Sequence, residues 1–125
     1  MKDPRVYLAH ILECIRRIES YATKGKNAFF GDTLIQDAII RNFEIIGEAA
    51  KRIPEPYRVS NPEIPWSRLA AFRDVLIHQY DEVILPRVWE IIEGELTPLK
   101  AAITSIMPPL EQLEREINGE YGELL

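Results

Sequence analysis

The chain has 125 residues, 46% hydrophobic and 28% charged, with a formal net charge of −5 and one cysteine, Cys14. That size and balance suit a single domain over residues 1–125 with a real core, and they exclude an internal disulfide. No apolar run approaches the roughly 18 residues of a membrane span, and the acidic balance argues against a broadly basic nucleic-acid surface, though not against a small cationic site.

Met1-Lys2-Asp3-Pro4 lacks the apolar stretch of a signal peptide, so the expected setting is cytoplasmic. Asp3-Pro4 reads as a helix start, with Asp as cap and Pro at the first helical position. Leu8, Ile11, Leu12, Ile15, Ile18 and Ala22 then recur at helical spacing as one apolar stripe. His10 and Cys14 form an i,i+4 pair beside it, but two potential ligands are too few for a structural zinc site. No metal site is expected. Lys24-Gly25-Lys26-Asn27 ends the helix.

Asp32 is the expected cap of a second helix carrying Ile35, Ala38, Ile39, Phe43, Ile46, Ala49, Ala50 and Ile53. Leu34, Ile40 and Ile45 widen its apolar face, so it sits centrally or faces another subunit. Gly47 lies inside it at a cost of about 1 kcal/mol relative to Ala, and close helix packing is the physical reason to tolerate it. Glu48 reads first as a solvated or paired surface acid and second as a group near the charged motif described below.

Pro54, Pro56, Pro62 and Pro65 mark an ordered connector, with Pro65 in the first turn of helix three. There Leu69, Phe72 and Leu76 make a core stripe, and Trp66, Ala70, Arg73, Ile77 and Tyr80 an adjacent one. A fourth helix starts between Asp81 and Pro86 and carries Leu85, Val88, Ile92, Leu96, Leu99, Ile103 and Ile106. Pro98 is expected to kink or divide it, with Thr97 as a new cap. Pro108-Pro109 stops it, Leu110–Asn118 reads as a short last helix, and an acidic tail frays from about residue 119. Nothing alternates with period two, so the expected fold is all-α: four main helices and a short extra C-terminal one.

One segment looks built for chemistry: Arg73-Asp74-Val75-Leu76-Ile77-His78-Gln79-Tyr80. Arg offers a planar fork of donors suited to phosphate, and His can take or give a proton near neutral pH. The plain alternative is that Arg73 pairs with an acid such as Asp74 while His78 ends and caps a helix. On a regular helix Arg73 and His78 point about 140° apart, so one helix does not aim both at one small target with ease. Either the helix ends near His78, or the Arg side chain wraps round, or a second chain supplies part of the site. Asp74, at i,i+4 from His78, could steer the imidazole or pair with a nearby cation. Lys51, Arg52, Arg58 and Arg68 could extend a path for a phosphate backbone or form a solvated face.

Arg-x4-His-x-Tyr in the form RDVLIHQY resembles the signature of the HEPN superfamily, and within it the HepT-like toxins. The flanking blocks Phe43–Ile53, Ile64–Val83 and Val88–Ile103 resemble that family's helices in the same order. The resemblance implies a HEPN-type four-helix bundle working as a homodimer. It also implies a metal-independent endoribonuclease toxin of a type VII toxin–antitoxin pair, without a cofactor of its own. Arg73 and His78 match the catalytic positions, with Asp74 supporting. Tyr80 matches the tyrosine to which a nucleotidyltransferase antitoxin of the MNT type, using ATP and magnesium, transfers AMP. A non-catalytic helical dimer that binds nucleotide or a partner protein is the alternative class.

Overall fold

The computed structural model describes residues 3–79, 81, 85–107 and 115. Among these the chain is all-α. Its helices are α1 (Pro4–Ala22), α2 (Lys26–Gly31), α3 (Thr33–Arg52), α4 (Glu55–Ser60), α5 (Trp66–His78), α6 (Leu85–Gly94) and α7 (Leu96–Ile106). None of the described helices is long and apolar enough to cross a membrane. Of the expected C-terminal helix and tail only Arg115 is described, and it is helical; the rest of that segment lies outside the described residues.

α1 begins as its sequence dictates. The Asp3 carboxylate accepts from the Arg5 backbone N–H at 2.9 Å, and Pro4 occupies the first turn. Leu8, Ile11, Leu12, Ile15 and Ile18 are buried, joined by Cys14, while His10 is exposed. Burial pushes the Cys14 thiol above its usual range, which disfavours the thiolate a metal or an electrophile would need. No group of three His, Cys, Asp or Glu side chains that could hold a metal ion occurs among the described residues.

The short helix α2 departs from the sequence expectation, which left that stretch between helices. Tertiary contact explains it. Phe29 is 0% exposed and its ring packs 5.3 Å from that of Trp89. Gln36 then ties down the turn by donating to the Phe29 and Phe30 carbonyls. Gly25, at φ +93°, supplies the left-handed turn between α1 and α2.

α3 is the central helix, packed against α1 on one side and α5 on the other. Asp32 caps it by accepting from the Leu34 N–H at 2.9 Å. Ile39, Phe43, Ile46, Ala49 and Ala50 are buried, as expected, and so is Asn42, whose amide N–H donates back to the Ala38 carbonyl.

The proline-rich connector is ordered and contains α4. Its buried ends, Ile53 and Ile64, anchor it. Asn61 donates to the Tyr57 carbonyl and receives the Trp66 indole N–H on its own carbonyl at 3.0 Å, which seats the start of α5. Pro65 stands as the N-cap residue of α5.

The long fourth helix is divided, two residues earlier than expected. The break falls at Glu95, which takes the cap position assigned above to Thr97. Pro98 thus lies in the first turn of α7, where a missing N–H forfeits no helical hydrogen bond.

Gly47 marks the closest approach of α3 and α5. A Cβ placed there would lie 2.1 Å from Arg73 Cβ and 2.7 Å from the Leu69 carbonyl oxygen. Gly47→Ala should therefore destabilise the fold by up to about 2 kcal/mol, because an overpacking cost of about 1–3 kcal/mol is offset by only roughly 1 kcal/mol gained in helix propensity. Chemical denaturation checks this; an equal or higher stability in the variant would show that the two helices separate freely.

Candidate active site

α5 carries the motif and is only half sunk into the protein. Trp66 in its first turn and Leu76 near its end are its buried residues. Between them Phe72 meets Phe43 of α3 edge-on, with ring centroids 5.4 Å apart. The helix ends at His78: the Gln79 N–H still donates to the Val75 carbonyl at 2.9 Å, but Gln79 has left helical geometry. The helix thus ends at His78, as the first of the three options has it, but His78 is itself the last helical residue and keeps its helical offset from Arg73.

Arg73 is held on all sides of its stem. The stem crosses the bare Gly47 backbone, and 22% of the side chain remains exposed. Nε lies 3.2 Å from Glu48 Oε2, an ion pair whose N–H is too poorly aligned to count as a hydrogen bond. Nη1 donates to Asp74 Oδ1 at 3.1 Å. Nη2 donates no hydrogen bond among the described residues.

Asp74 is shared. The same Oδ1 accepts from Lys51 Nζ at 2.5 Å. Glu48 is shared as well, with Oε1 3.4 Å from the Arg52 guanidinium. The last turn of α3 and the middle of α5 thus make an alternating row: Arg52, Glu48, Arg73, Asp74, Lys51. His78 is exposed at the end of α5 and makes no hydrogen bond or ion pair among the described residues. Asp74 therefore holds cations rather than the imidazole. Tyr80 lies outside the described residues.

Two participants come from outside the motif. Glu48 is a paired acid, but its partner is the motif arginine. Lys51, left among the general cations, reaches into the motif. A signal existed: a glycine in a helix interior marks where another helix docks, and the residues one and four positions on flank whatever docks there. Arg68 is elsewhere, paired with Glu95 at 2.6 Å, and Arg58 belongs to α4.

A second feature flanks the motif. An open groove of about 610 Å³ runs between α5, α6 and α7, floored by Phe43 and Ile46 of α3. Its walls are largely apolar, including Leu69, Phe72 and Val75, the last 42% exposed. Arg73 and His78 do not line it.

The Lys51 ammonium, and next the Arg73 guanidinium, hold the Asp74 carboxyl below the usual carboxylate range. A depressed folded-state pKa means that both contacts persist at neutral pH and are lost only as acid takes the pH through that lowered value. Side-chain NMR titration should find Asp74 protonating below the usual carboxylate range, and Lys51→Ala should raise its midpoint. An unchanged midpoint in the variant would show the lysine contact to be idle in solution.

Residues 11–106 match the family model "Ribonuclease HepT-like". The chain is 42% identical, over 99% of its length, to "Gamma-glutamylcyclotransferase and putative RNase" of Methanocaldococcus jannaschii, and spans 57% of that longer protein. It is 39% identical to "Putative RNase" of Caldanaerobacter subterraneus, covering 86% of this chain and 96% of that one. "Probable ribonuclease HepT" of Thermococcus cleftensis is 40% identical over 75% of this chain and 86% of its own. No solved structure gives a significant match. With more than three quarters of its residues inside the family model and full-length relatives above 30% identity, the chain belongs to the HepT-like ribonuclease family.

Proposed function

We propose that this chain is a metal-independent endoribonuclease, the toxin of a toxin–antitoxin pair, acting as a homodimer. The observation that carries the reading is a braced Arg73, one guanidinium nitrogen of which donates no hydrogen bond among the described residues, with an exposed His78 five residues on in a ribonuclease family member.

The chemistry follows from the groups present. His78 takes the proton of a ribose 2′-hydroxyl, and that oxygen attacks the adjacent phosphorus. The P–O5′ bond breaks, and the departing oxygen collects a proton from an imidazolium, supplied by the His78 of a second copy. Arg73 balances the charge that builds on the phosphoryl oxygens. The products are a 2′,3′-cyclic phosphate and a 5′-hydroxyl. DNA has no 2′-hydroxyl and is not cut.

The apolar groove supports the dimer, because exposed Val75 and its neighbours lie on the same helix as the motif and lose water if a second copy covers them. A two-fold axis near α5 would bring two arginines and two histidines together. For regulation, AMP transferred to Tyr80 by a nucleotidyltransferase antitoxin, at the cost of its ATP, would set a phosphate two residues from His78 and compete for Arg73. The non-catalytic alternative has one observation in its favour: no side chain of the described residues orients His78.

Arg73→Ala and His78→Ala should each lower RNA cleavage by at least about a hundredfold while helix content and dimer mass are kept. Wild-type cleavage should survive a chelator. A highly purified His78→Ala protein as active as wild type would sink the mechanism, and an inactive wild type would leave the binding alternative. Incubation with the cognate transferase and ATP should add mass to wild type but not to Tyr80→Phe; equal labelling would move the modification elsewhere.

A further inference from the structure

Two cations from different helices converge on one anionic oxygen. Lys51 Nζ, in the last turn of α3, and Arg73 Nη1, in the middle of α5, lie 2.5 and 3.1 Å from the same Asp74 Oδ1. A carboxylate oxygen with two cationic donors on it occupies the position a phosphate oxygen would take. Lys51 is 37% and Asp74 46% exposed, so an incoming strand can reach both. The other carboxylate, Glu48, contacts Nε of Arg73, and Nη2 donates no hydrogen bond among the described residues.

We infer that Lys51 and Arg73 form a two-helix phosphate clamp for RNA, and that Asp74 is its internal counter-anion, occupying the clamp until a phosphodiester displaces it. The inference rests on the ribonuclease reading only for the identity of the ligand. Lys51 is thereby a substrate-binding residue, and Asp74 acts in two opposed ways. It competes with RNA for the cations, and it keeps Arg73 from swinging away.

The opposition makes the test sharp. Binding of a non-cleavable 2′-O-methyl RNA oligonucleotide is followed by fluorescence anisotropy across a salt series, beside cleavage of the matching RNA. Lys51→Ala should weaken binding by on the order of tenfold, and flatten the log–log salt slope by about 0.7, the share of one phosphate contact on a single strand. Lys51→Arg should restore both. Asp74→Asn keeps the shape and removes the charge. It should tighten binding by on the order of threefold, because the internal competitor is gone, and yet lower kcat. Circular dichroism and denaturation confirm that each variant folds.

Unchanged affinity and salt slope in Lys51→Ala, with wild type still cutting RNA, would overturn the clamp and leave the nuclease reading intact. Weaker binding in Asp74→Asn would overturn the displacement role. The predicted Lys51→Ala loss in a protein that cuts no RNA would keep the clamp and remove the nuclease. A wild type that neither binds nor cuts overturns both.

Discussion

The bare backbone at Gly47 is the constraint on which the site depends. Arg73 Cβ comes so near it that no larger residue fits without moving α5, and the Leu69 carbonyl closes the other side. A long cationic side chain is thus laid across a helix instead of waving in solvent. Lys and Arg side chains each carry about 2 kcal/mol of rotamer entropy, and fixing Arg73 during folding removes most of that cost from any later binding step. The glycine loses helix propensity, and the return is an arginine stem fixed against the α3 backbone.

The charges around Arg73 are there for orientation more than for stability. Exposed ion pairs contribute about 0–1 kcal/mol, whereas each fully buried Leu, Ile or Phe contributes about 1.5–3 kcal/mol. Leu8, Ile11, Ile15, Ile18, Phe29, Ile39 and Ile103 are all 0% exposed, so the packing of α1 with α3 and α7 carries the fold. Glu48, Lys51 and Asp74 stand at the edge of that core. Their alternation lets one acid brace two cations, which keeps like charges close together without unbalancing the region. Lys51 and Arg52 also sit favourably at the negative end of the α3 dipole.

α5 links the two exposed features of the molecule. It is seated by Trp66 and Leu76 near its ends, so its middle has surface to spare. Around that middle lie a charged row with Arg73 and a groove with Phe72 and Val75. A helix placed this way can present chemistry and a contact surface together, a geometry suited to a family whose motif is short.

Much was legible from residue order alone. The apolar stripe of α1, the Asp3 and Asp32 caps and the central greasy helix follow from local propensity and a 3.6-residue period, which need no knowledge of the partner helix. The motif was also legible, because Arg73, Asp74 and His78 are neighbours in the chain and on one helix. What period and propensity could not supply was contact between distant segments. α2 forms because Phe29 meets Trp89, sixty residues on, and the helix break falls at Glu95 rather than Thr97, one of several sites that local sequence leaves open. Above all, Lys51 and Glu48 joined Arg73 only when α5 settled on Gly47. The sequence determined which groups were available and on which helices, while tertiary packing decided which of them share an oxygen, since that depends on how closely two backbones can approach.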